Sequence, residues 1–72
     1  MLKNKFVAFY TEDNVNFTAL IVIKNGNRKK VDTATIEPTE FFGLNNFIKM
    51  YESNGFLFCG IISEMNPSLL TA

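Results

Sequence analysis

Phe17-Thr18-Ala19-Leu20-Ile21-Val22-Ile23-Lys24-Asn25-Gly26 reads as a β-strand entering a tight hairpin. The run is rich in β-branched and apolar residues, which pack well on a pleated surface, and Asn25-Gly26 supplies the positive φ that short hairpin turns need. A hairpin requires a returning strand. Residues 27–37 provide it, with Val31, Thr33 and Thr35 on one face and Lys30, Asp32 and Ala34 on the other. The polarity of this strand, and Pro38 after it, suit a sheet edge. Two-residue and three-residue loops around Asn25-Gly26 give pairings one step apart, a slip that exchanges the faces, so both registers stay open.

Upstream, Lys5-Phe6-Val7-Ala8-Phe9-Tyr10-Thr11 combines β-branched and aromatic residues and stops at the polar cluster Glu12-Asp13-Asn14, as a strand running into a turn does. Downstream, Pro38-Thr39 marks a helix start, with Thr39 able to accept a bond from a first-turn amide and Glu40 suited to the positive end of the dipole. The predicted helix runs to about Asn54. Phe41, Leu44, Ile48 and Tyr51 follow helical spacing, Phe47 widens the stripe, and Asn45, Asn46, Lys49, Glu52 and Ser53 fall opposite. Gly55 is placed to close the helix in the left-handed conformation.

Phe56-Leu57-Phe58-Cys59-Gly60-Ile61-Ile62 follows and is apolar on both faces. A strand without a polar face usually lies inside a sheet, which places this one beside the first strand. The helix is then a right-handed crossover, and the last strand runs parallel to the first. The predicted fold is α+β: a small four-stranded sheet, βββαβ, strand order 3-2-1-4, with one helix packed on one face. A single domain over residues 1–65 leaves a tail, 66–72, that is either a short helical turn capped by Asn66 or mobile.

Composition narrows the chemistry. A 72-residue chain buries only about 60% of its unfolded surface and usually reaches roughly 3–5 kcal/mol of stability without a staple. One cysteine, Cys59, excludes an internal disulfide, and the lack of histidine excludes the usual zinc sites. Close packing or self-association must compensate. Lysine plus arginine and aspartate plus glutamate each number seven, so no net charge draws the chain to nucleic acid or an anionic membrane. The apolar runs are strand-sized, too short for a signal peptide or a membrane span, and with an unpaired cysteine they predict a cytoplasmic protein that meets no membrane.

Without histidine, nucleophile–His–Asp triads and Cys–His dyads are absent. Glu12 with Asp13, and Glu37 with Glu40, could hold a hard cation, but turn chemistry and helix-dipole pairing account for them more simply. Cys59 sits in the most apolar run and reads as a core thiol rather than a nucleophile. Gly43, Gly55 and Gly60 form no phosphate-cradling loop. The expectation is no enzyme, no cofactor and no metal.

One helix covers only one face of a four-stranded sheet, yet the strands carry large side chains on both. Phe6, Ala8 and Tyr10 oppose Val7 and Phe9; Phe17, Ile21 and Ile23 oppose Leu20 and Val22; Phe56, Phe58 and Ile62 oppose Leu57, Cys59 and Ile61. Large exposed apolar patches usually mark interfaces. The expected function is a non-catalytic protein–protein interaction module, such as a small inhibitor, adaptor or accessory subunit, for which a phage or mobile-element setting fits. Its expected partner is a second copy, giving a homodimer through an apolar sheet face, or a larger protein. The expected interface is Phe6, Ala8, Tyr10, Phe42 and Met50. Alternatives accompany this reading: the two faces of the first strand are exchanged, the tail with Leu69-Leu70 folds back over the open face, or the sheet curls to cover itself. Alternatively, the chain binds nucleic acid through Arg28, Lys29 and Lys30 with bases stacked on Phe6, Phe9 or Tyr10, or, third, carboxylates with a borrowed metal or a composite site at an oligomer interface make it an enzyme.

Overall fold

The computed structural model describes residues 4–71; residues 1–3 and 72, the extremities of the N-terminal segment and of the tail, lie outside them. Strands β1 (Lys5–Tyr10), β2 (Phe17–Asn25) and β3 (Arg28–Ile36) are followed by helix α1 (Leu44–Ser53), strand β4 (Leu57–Ile62) and a short helix α2 (Ser68–Thr71). The four strands form one sheet in the order β3-β2-β1-β4. β1–β2 and β2–β3 are antiparallel and β1–β4 is parallel. The fold is the predicted small α+β arrangement, with α1 as the crossover.

The hairpin register is fixed by a two-residue loop. Asn25 pairs with Arg28, leaving Gly26-Asn27 as the turn, and Gly26 has φ 63°. A positive φ at the first central position is the type II′ requirement, whose twist matches the flanking strands. Leu20 then faces Thr33 and Val22 faces Val31, while Ala19 faces Ala34 and Phe17 faces Ile36.

The β1–β2 connection is held by Asp13. Its Oδ1 accepts the amide N–H groups of Asn16 (2.8 Å) and Val15 (2.9 Å), and its Oδ2 accepts the side-chain amide of Asn16 (2.8 Å). Thr11, itself buried, accepts the Asn14 amide at 2.8 Å. Asn14 takes φ 61°, a left-handed conformation that asparagine tolerates better than most residues. The Asn16 and Val15 amides, then the Asn16 side chain, hold the Asp13 carboxyl at about 2, below its ordinary 3.8. A depressed folded-state value stabilises the fold above the unfolded value, and that contribution disappears as pH falls from about 4 to about 2. Stability to thermal unfolding is therefore expected to fall over that window, and Asp13→Asn to flatten the loss; equal slopes for the two proteins would remove Asp13 from the cause.

α1 begins later than its pattern suggests. Thr39 does accept the Phe42 amide on its hydroxyl (2.9 Å), but within an isolated turn closed by Thr39 N–H donating to Phe42 O. Gly43 then runs extended (φ −83°, ψ −178°) and forms the N-cap without a side-chain bond. The missing first turn expels Phe41, which is 89% exposed rather than part of the core stripe. Phe42 lies in this non-helical entrance, edge-on to Phe47. The other end closes as expected. Gly55 (φ 88°) donates to Glu52 O and Phe56 to Tyr51 O, the Schellman pair of bonds, and Phe56 packs on the Tyr51 ring.

Both faces of the sheet are covered, unequally. On the α1 face, Leu44, Phe47, Ile48 and Tyr51 pack with Phe56 and Phe58 over buried Val7, Phe9, Ala19 and Ile36. On the other face, the tail folds back, its turn capped by Asn66 Oδ1 accepting the Ser68 amide. Leu70 is thereby buried against Ala8, Leu20 and Val22, with Phe6 and Ile62 at the margin. The face expected to stand open thus carries a one-residue lid. β4 also departs from strict alternation. A register shift opposite β1 and Gly60 at φ 111° make a bulge, so Phe58 faces α1 whereas Ile62 turns to the α2 face.

Candidate protein-interaction surface

The five residues expected to form an interface are not brought together. Phe6, Ala8 and Tyr10 share one side of β1, but Ala8 is fully buried beneath Leu70. Phe6 is half-buried, and the half-buried Tyr10 donates its hydroxyl to the Glu12 carboxylate. Phe42 and Met50, each 40% exposed, belong to the α1 side.

A different surface emerges at β4. It lies beside β1, as its sequence suggested, but it ends the sheet: among the described residues no strand pairs with its outer side. An edge strand presents free N–H and C=O groups to any extended chain that approaches. Although Phe58 and Ile62 pack inward, side chains on both of its faces remain exposed. Leu57 is 45% exposed, Cys59 is exposed, and Ile61, in register with Phe9 of the α1 face, is 49% exposed. Met65 and Leu69 add exposed apolar surface after the strand. No charged residue occurs within Leu57–Ile62. The opposite edge contrasts with it: β3 carries Arg28, Lys29, Lys30 and Asp32, the kind of charge that discourages edge pairing.

The predicted order 3-2-1-4 already made β4 the end strand. What the sequence reading missed is its exposure, because an apolar run on both faces reads as interior and no fifth strand lies outside β4 among the described residues. Cys59 is accordingly at the surface, not in the core. Partial burial still pushes its thiol up, opposed by the Val7 backbone bond, so the side chain is a protonated apolar group rather than an activated thiolate.

The charges are sorted by the same topology. Lys5, Lys24, Arg28, Lys29 and Lys30 gather at the end of the sheet where β1 begins and the hairpin turns, with Lys24 directly opposite Lys29. Glu12, Asp13, Glu37, Glu40 and Glu64 follow the C-terminal ends of β1, β3 and β4, all at the other end. Nine-residue β2 separates the poles by roughly 30 Å. A formal charge of zero therefore hides a polarised sheet, although Glu52 near the end of α1 lies at the basic end and Asp32 sits mid-strand opposite Ile21. Lys5 is partly engaged locally, its Nζ donating to Asn54 O (3.3 Å) and lying 5.4 Å from the Phe56 ring centre.

No cavity is found among the described residues, nor any cluster of three or more acidic, cysteine or histidine side chains placed to hold a metal. No helix among them is long and apolar enough to cross a membrane. No family model matches the sequence, and no match is found among curated proteins or solved structures.

Proposed function

We propose that this chain is a non-catalytic protein-binding module whose binding element is the β4 edge. The observation that carries this reading is an uncharged edge strand with apolar side chains exposed on both faces, Leu57 and Cys59 on one and Ile61 on the other. Strand addition satisfies the free backbone groups and covers both faces at once, whereas a partner laid on one face would leave the other wet. A small inhibitor, adaptor or accessory subunit would use such an element.

Ile61→Lys places a charge on the edge without disturbing the core. Its thermal stability is expected to stay within about 0.5 kcal/mol of wild type, as at other exposed positions. Proteins retained by the immobilised wild-type chain from an extract of its source cell, including further copies of itself, should be lost from the variant. An unchanged retained set, or a wild-type chain that retains nothing and does not associate with itself, would contradict the proposal.

The basic end supports a second reading, nucleic-acid binding through Arg28, Lys29 and Lys30 joined by Lys5 and Lys24. Phe9, one of the stacking residues that reading invoked, is fully buried. A mobility shift at low salt that fades steeply with added salt would favour it; no shift at low salt would end it.

A further inference from the structure

We infer that the occupant of the β4 edge is a second copy of this chain, paired antiparallel through β4 about a two-fold axis. The inference rests on the binding role proposed for that edge and names its partner. Three observations converge on it. First, β4 is its own complement: an uncharged strand, LFCGII, apolar on both faces, meets an identical strand without burying a charge, and a two-fold interface uses one patch twice.

Second, the charge distribution selects the antiparallel arrangement. Turning the second copy end for end sets its Glu64, just after β4, nearest the first copy's Lys5 at the start of β1, with Lys24 and Arg28 two and three strands in from the junction. Both ends of the joint sheet then carry opposite charges side by side. A parallel arrangement would set like poles together. The two-fold axis of an antiparallel ladder stands perpendicular to the sheet, so both α1 helices share one face and both α2 helices the other.

Third, the surface area fits. Surface scaling gives a folded chain of 8.2 kDa roughly 4,500 Å² of accessible surface. This one exposes 5109 Å², an excess of roughly 600 Å², about three quarters of the roughly 800 Å² per partner of an ordinary interface. β4 and its flank, Met65 and Leu69, provide apolar area of that kind.

The register that centres the axis on Cys59, next to the midpoint of the strand between Cys59 and Gly60, brings the two thiols close on the face that carries Leu57. Directly opposed strand residues have Cα atoms about 4.5–5.5 Å apart, within reach of a disulfide. The arrangement is tested by light scattering over a range of concentrations, followed by mild oxidation with diamide. Wild type is expected at about twice the 8.2 kDa chain mass, with association weakening several-fold as salt rises and with a Cys59–Cys59 cross-link forming. Ile61→Lys is expected to weaken association at least tenfold with an unchanged circular dichroism spectrum and no cross-link; Leu57→Lys repeats the test should the first variant not fold. Cys59→Ser should remain dimeric. A dimer that both lysine variants leave intact overturns the inference. So does a monomeric wild type, and the extract experiment then separates two cases: retention of another protein, lost in Ile61→Lys, leaves the edge a binding element for that protein, whereas no retention removes both the partner and the binding role.

Discussion

Phe9→Ala is expected to leave the chain largely unfolded at 25 °C. Phe9 is fully buried at the centre of the α1 face, with edge-on ring contacts to Phe58 (5.0 Å between centres) and Tyr51 (6.0 Å). Removing a buried phenylalanine side chain costs about 3–5 kcal/mol, from lost burial and the cavity left behind. A core of this size, without disulfide or metal, supplies roughly the same amount in total. Far-ultraviolet circular dichroism and urea titration should show no cooperative transition. Phe41→Ala is the matched control: with Phe41 89% exposed, the change should lie within about 0.5 kcal/mol. Equal effects at the two positions would contradict the placement of α1.

Leu70→Ala is expected to destabilise by about 2 kcal/mol, the low end for a buried leucine, because its short helix can readjust over the gap. With a urea slope near 1 kcal/mol per molar for a small domain, the midpoint should fall by about 2 M. Leu70 is the lid over Ala8, Leu20 and Val22, so the variant should also bind a hydrophobic dye more strongly than wild type. Leu69→Ala, at a position 53% exposed, should do neither. A silent Leu70→Ala would mean that the tail contributes nothing to covering that face.

These two variants mark where the sequence was readable. A core under α1 was legible because strand alternation in β1 and β2 and helical spacing from Leu44 to Tyr51 both call for an interior, but which face of the sheet it takes was open, as was the one-residue register at Asn25-Gly26, resolved by the II′ turn at Gly26. Phe41 misled because its spacing extends a genuine helical stripe, and only the extended backbone at Gly43 breaks it. The tail misled for a different reason. Asn66 signalled a cap, but nothing local in Leu69-Leu70 says which leucine turns inward or which surface waits for it.

The candidate surface was the least legible part. An excess of apolar side chains was visible in composition, and Phe6, Ala8 and Tyr10 were reasonable carriers of it while one sheet face was expected to lie bare. Placing Leu70 on Ala8 moves the excess to the sheet's edge. The Gly60 bulge then turns Ile61 and Ile62 out of simple alternation, a consequence that no count of apolar residues reveals. Charge polarity is similarly hidden, since the charges flanking the strands fall at two ends only after the strands are aligned.

The most direct test is amide hydrogen exchange along the two sheet edges, compared between an associated sample and a dilute one or Ile61→Lys. Outward-facing amides of β4 are expected to exchange slowly only in the associated sample, while those on the outer side of β3 exchange rapidly in all. Protection that appears on β3 instead, or β4 amides that exchange at the same rate throughout, would contradict a binding role for the β4 edge.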